Sequence, residues 1–206
     1  MRGLSSSLYE RIRNMLDFAI WLSETEWSIA LHESLYLYPW IESTHVLSIC
    51  LFFGTLLFVD LRLTGKVFNN LSISAMNRKV LPLTLFGFLV MSVTGLLLFY
   101  AIPVRNYQNI FFRIKMFLIV IAGINAFLFH RRMSNEAKIW DKDSSIPRSM
   151  KNSAITSLVL WSLVIISGRM IAYNWFDCDR QPQPRWINEL TSCEVDYSLF
   201  EGIDGF

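Results

Sequence analysis

Glu42 and His45 stand near the start of YPWIESTHVLSICLFFGTLLFVDLRLTG, an almost unbroken apolar run over 38–65. Three residues apart, they share one face of a helix. An ionisable group inside a segment able to cross a bilayer is costly, and it marks a candidate site. Imidazole and thioether groups suit copper, and imidazole is an axial ligand of haem. The residues to weigh for such chemistry are therefore His32, His45 and His130, with Met116 and Met170. Their use depends on depth in the membrane, which the surrounding elements must set.

The chain has 206 residues, of which 53% are hydrophobic and 17% charged. Soluble domains carry about 25% charged residues, so the deficit points to lipid. A net charge of +2 gives no basic face for nucleic acid. Four segments have the roughly 20 apolar residues that a crossing needs: 41–61, 81–101, 110–130 and 154–173. VLSICLFFGTLLFV and MFLIVIAGINAFLF lack the polar face of a soluble helix. The expected fold is all-α, an integral membrane four-helix bundle over 41–174. An amphipathic segment at 1–40 is expected to lie along the interface, with Leu16, Ala19, Ile20 and Trp27 forming its apolar stripe and Pro39 turning the chain into the membrane. Asp17, Glu24 and Glu26 interrupt any signal-peptide apolar region, so none is expected.

Cytoplasmic loops are rich in Lys and Arg. The first long connection holds Arg62, Lys66, Arg78 and Lys79, and the third holds Arg131, Arg132, Lys138, Lys142, Arg148 and Lys151. Both should face the cytoplasm, which places both termini outward, in the periplasm for a bacterial inner membrane. Cys178 and Cys193 then lie on an oxidising side, where a disulfide between them is expected. Cys50 reads as a small apolar filler inside the first span. The segment 175–206 reads as an acidic outward tail. From Asp177 onward it has seven Asp/Glu against two Arg, and it suits an extension that orders on another subunit of a membrane complex.

This topology excludes one haem geometry. His45 is near the outer face and His130 at the inner end, roughly 20 Å apart along the membrane normal, so one iron cannot take both. The outer side is richer. Glu42, His45, Met116 and Met170 share a depth, His32 can fold back over them, and Arg113, Lys115 and Arg169 are nearby cations. Three readings stay open. Haem b would use His45 as axial ligand, with His32 as a second, and Arg169 and Arg113 on its propionates. Copper would use His45, Met116, Met170 and Glu42. Without a cofactor, Glu42, Arg169 and His45 would form a polar network that pins helices. At the inner edge Asp60, Arg62 and His130 read as ordinary interfacial charge. Small residues, among them Gly54, Gly87, Gly95, Gly123 and Gly168, point to close helix packing. No covalent-haem motif, P-loop, dinucleotide fingerprint or hydrolase triad occurs, so no independent enzyme is expected.

The run from YPWIESTH to DLRLTG, followed by LPLTLFGFLVMSVTGLLLF, FRIKMFLIVIAGINAFLFH and LWSLVIISGRMIAY, resembles a family of small, functionally uncharacterised bacterial four-span membrane proteins. The pattern is distantly similar to the membrane domain of the copper-resistance protein D family, in which a His opens a span ahead of a Gly and a Lys precedes a run ending in Asn. Here those positions are His45 with Gly54, and Lys115 with Asn125. The similarity implies copper handling or cytochrome-b-like electron transfer. The tail from Asp177 has no counterpart in the pattern. Together these observations lead to an anchoring membrane subunit that carries haem b, or a copper-handling protein, or a structural subunit with no cofactor.

Overall fold

The computed structural model describes residues 14–65, 67, 73–140, 147–173, 175–176, 178 and 183–193, with the backbone alone for 73–74, 77 and 133–140. Lys66 and Lys142 of the basic loops, residues 1–13 of the interfacial segment and the acidic stretch 194–206 lie outside them. The described chain is all helix: α1 (14–23), α2 (Glu26–Glu33), α3 (Leu37–Thr64), α4 (Ile73–Ala101), α5 (Pro103–Tyr107), α6 (Ile110–Trp140), α7 (Arg148–Tyr173) and α8 (Arg185–Thr191). Among the described residues α3, α4, α6 and α7 are long and apolar enough to span a membrane, with mean hydropathies of 2.0, 2.1, 1.9 and 1.8 over their spanning windows. The protein is a multi-pass membrane protein with additional N-terminal helices.

The helices outrun the apolar windows, and their ends follow capping chemistry. Thr25 caps α2 by accepting the Ser28 N–H. The Ser34 hydroxyl accepts the Leu37 N–H at 3.0 Å, so the chain turns ahead of Pro39, which sits in the first turn of α3. A proline there removes an N–H that has no intrahelical partner in any case. Asn109 Oδ1 accepts the Phe111 N–H at 2.9 Å and opens α6. Gly65, at φ 75°, closes α3 in the left-handed conformation that glycine tolerates best. Beyond His130, α6 continues through EAKIW, whose Glu, Ala and Lys are strong helix formers needing no membrane.

The chain divides into two units. One comprises 39–96 and 116–166, the bundle part of the four spans. Its core has two clusters. Phe52, Ala122, Leu160, Trp161 and Val164 form one, with the Phe52 and Trp161 rings edge to face at 4.6 Å. Val59, Leu63, Met76, Met150 and Ala154 form the other. Gly87 brings α4 onto α3 so closely that a Cβ there would lie 3.0 Å from the Phe52 backbone nitrogen. Close backbone approach at small residues is how membrane helices associate. Gly54 and Gly123 do not act this way, since a Cβ at either would meet nothing within 4 Å.

The other unit comprises 1–38, 97–115 and 167–206. Thr25 Oγ1 and Tyr100 Oη are 2.9 Å apart, and the Ser28 hydroxyl donates to the Tyr100 carbonyl at 2.7 Å, so α2 is bound to the end of α4. The N-terminal segment forms two helices, α1 and α2, separated by a break at 24–25. Ala19 and Ser28 are buried, whereas Trp27 is 80% exposed and Ile20 40%. Two short helices with separate caps do not share one helical phase. The tail differs too. Cys178 and Cys193 are joined by a disulfide, Gln108 Nε2 donates to the Ser192 carbonyl at 3.3 Å, and Ile187, Asn188 and Thr191 are buried. Residues 183–193 thus pack against their own chain.

Candidate functional site

In the bundle unit, His45 is half-buried on α3 and its Nδ1 lies 2.9 Å from Thr94 Oγ1 on α4. The Thr94 hydroxyl has one proton, and its shortest contact is to the Val90 carbonyl at 2.7 Å. The donor and acceptor roles in the His45–Thr94 bond follow the tautomer of the ring. Gly95 makes room for the imidazole, since a Cβ there would meet His45 Cε1 at 3.1 Å. Glu42 and Met116 belong to the same unit and are both exposed. Cys50 is exposed as well, so it is not the filler expected of it.

Other polar groups of this unit join helix to helix. Thr84 donates to Thr55 at 2.9 Å between α4 and α3. Asn125 and Ser153 make a reciprocal pair between α6 and α7, with Ser153 Oγ donating to Oδ1 at 2.9 Å and Asn125 Nδ2 to the Ser153 carbonyl at 3.1 Å. One turn along α7, the Ser157 hydroxyl bonds Asp60 of α3. Asp60 was read from sequence as edge charge, yet it is 4% exposed and its Oδ2 has no hydrogen-bond partner. Its neighbours in sequence, Val59 and Leu63, belong to the apolar cluster with Met76, Met150 and Ala154. Only the packing of distant segments encloses it, and no local pattern announces that. His130 is exposed, as expected of an interfacial residue.

The remaining candidates fall in the other unit. Arg113 stacks on the Tyr107 ring at 4.4 Å and donates from Nε to the Tyr107 carbonyl at 3.1 Å. Its Nη2 is buried without a hydrogen-bond partner. Gly168 accommodates Lys115, whose Nζ would lie 3.6 Å from a Cβ there. Arg169 is exposed and stacks on Tyr173 at 5.2 Å, and Met170 is half-buried. His32 is exposed, edge-on to Tyr38 at 6.3 Å. It lines a cavity of about 360 Å³ with Glu33, Arg105 and the apolar stretch Ala101–Val104. Among the described residues, no three His, Cys, Asp or Glu side chains converge as a metal site would require.

Residues 34–174 match the model of DUF6644, a family of unknown function, and the chain belongs to that family. No curated protein matches, and no solved structure does.

Proposed function

With membership of a family of unknown function as the premise, we propose that the chain is a structural anchoring subunit of a larger membrane complex. The observation that carries this reading is the outer face of α6. Gly123 is exposed with nothing above it, and it lies among exposed Phe117, Val120, Ile124 and Phe127. Only 6% of this spanning window is buried within the chain. A glycine gap between large apolar side chains is what a neighbouring membrane helix packs into. The hydrogen bonds His45–Thr94, Thr55–Thr84 and Asn125–Ser153 support the same reading, because they hold spans together. The basic residues of the long connections, and a disulfide between Cys178 and Cys193, support a bacterial inner-membrane location with both termini in the periplasm. The acidic tail, residues 175–206, supplies the docking element. The test is cross-linking in native membranes. Gly123→Leu should abolish cross-linked species that the wild type forms, and unchanged species would reject the α6 interface.

A second reading has one specific observation behind it. His45 Nδ1 lies 2.9 Å from Thr94 Oγ1, a hydrogen bond of the kind that orients an axial histidine. His45 would then be an axial ligand of haem b. The similarity to the copper-resistance protein D family supports copper instead, with His45, Glu42 and Met116 of the bundle unit as its candidate ligands. An absorption spectrum of the purified protein, oxidised and reduced, together with metal analysis, separates these readings. Haem predicts a Soret band that shifts on reduction and is lost in His45→Ala. Copper predicts bound metal without that band. A colourless, metal-free protein rejects both.

A further inference from the structure

The anchoring reading makes no use of Asp60. This residue stands on α3 one turn before the helix ends at Thr64, inside a segment able to span a membrane, and it is 4% exposed. Its Oδ2 is out of reach of solvent and has no hydrogen-bond partner, and among the described residues the Ser157 hydroxyl of α7 is the group that bonds its carboxyl. The surroundings are apolar. Val59 precedes it and Leu63 follows one turn on, and both pack with Met76 of α4 and with Met150 and Ala154 of α7, with Val80 and Phe129 beside them. Titratable groups are carried by all four helices toward this end: Arg62 on α3, Arg78 and Lys79 on α4, His130, Arg131 and Arg132 on α6, and Arg148 and Lys151 on α7. None of them is a hydrogen-bond or ion-pair partner of Asp60.

An ionised carboxylate only accepts hydrogen bonds, so each of its oxygens needs a donor. Here one oxygen has Ser157 and the other has none. A bare charge in an apolar enclosure is far costlier than a buried neutral acid. A metal cation does not resolve this, because calcium or magnesium takes about six oxygen ligands, and one carboxyl with one hydroxyl falls well short of that. A proton needs neither a cavity nor a further ligand. We propose that Asp60 is a proton-binding site of the bundle, with the proton on Oδ2 and the other carboxyl oxygen held by Ser157. Loading forms the O–H bond as a hydronium ion gives up its proton and becomes water, and release is the reverse. Release leaves a charge with one hydroxyl donor in an apolar enclosure. It is therefore tied to opening of the end of the bundle where α3 stops and α4 and α7 begin. Met76 lies in the first turn of α4 and Met150 in the first turn of α7. Their unbranched side chains can change rotamer and admit water. Acidic residues inside spans are the groups from which membrane proteins build proton relays, so the site adds proton exchange to an anchoring subunit.

The test is infrared spectroscopy of the full chain in lipid vesicles near neutral pH. The wild type should show the carbonyl stretch of a carboxylic acid, and Asp60→Asn, a neutral side chain of nearly the same shape, should lose it. Ser157→Ala should keep the band and move it to higher frequency, because the carbonyl oxygen loses its donor. That variant identifies the band even where Asp60→Asn does not fold. In heavy water the band should shift as O–H becomes O–D, and Met150→Ala should hasten that shift. Absence of an acid band from the wild type overturns the proposal, as does a loss of carboxylate bands in Asp60→Asn instead. An acid band that Ser157→Ala leaves unmoved belongs to another residue and overturns it too. Removal of the band by added sodium or calcium overturns it in favour of a metal cation. An unchanged exchange rate in Met150→Ala overturns the opening at this end of the bundle.

Discussion

Removing the Thr94 hydroxyl is the smallest change that probes how His45 is held. Thr94→Val deletes the hydrogen-bond partner of Nδ1 while keeping the shape of the side chain, and it should lower stability by about 1 kcal/mol, the net worth of one such bond. Thermal unfolding in detergent reads this. Ser157→Ala asks the same of Asp60. That carboxylate already has one oxygen without a partner, and losing Ser157 would leave the other exposed to the same penalty. A loss of about 1–3 kcal/mol is expected, larger than for Thr94→Val; a neutral result would mean that Asp60 is hydrated in the membrane-embedded protein. Sequence reasoning handled these two residues unequally. His45 stands out because it is an ionisable residue within a segment apolar enough to span the membrane. Asp60 lies close to the end of its helix, where charge is ordinarily cheap, and its enclosure depends on Met76 and Met150, which neighbour it only in the fold. Partners such as Thr94 and Ser157 are equally hard to foresee, because a hydroxyl in a span often bonds its own helix, as Thr94 also does with Val90.

The helices themselves were the legible part, since lack of charge over about 20 residues is a strong signal. Which glycine packs against what was not legible. Gly87 and Gly123 look alike in sequence, yet one lies against the Phe52 backbone and the other against empty space. This contrast is testable. Gly87→Ala must push α3 and α4 apart, because backbone atoms cannot yield as a flexible side chain does, and a loss of about 1–3 kcal/mol is expected. Gly54→Ala and Gly123→Ala should stay within about 0.5 kcal/mol of the wild type. Thermal unfolding of the three variants side by side checks the assignment, and equal losses would refute it. The N-terminal helices taught a related lesson. Where the segment from Leu16 to Trp27 breaks was not legible, because it is set by the cap at Thr25.

At the scale of the molecule, a bundle of four spans is joined by a second unit in which the described tail is closed by Cys178 and Cys193. Closing a loop of sequence separation 15 stabilises by about 3 kcal/mol in the chain-entropy account. Cys193→Ser should therefore speed proteolysis near α8 while the spans stay intact, and an unchanged cleavage pattern would show that packing of Ile187 and Thr191 suffices. The larger question is whether this chain works alone. An exposed face on α6 with an open glycine, and spans joined to one another by their own polar residues, describe a subunit built to be covered. The most direct test is the mass of the native assembly after mild detergent extraction from its own membrane, wild type beside Gly123→Leu. The wild type should run well above the 24.0 kDa of one chain plus its micelle, with other subunits present, and the variant should fall to the single chain. A wild type that already runs as a single chain, or a variant whose mass is unchanged, would contradict the account.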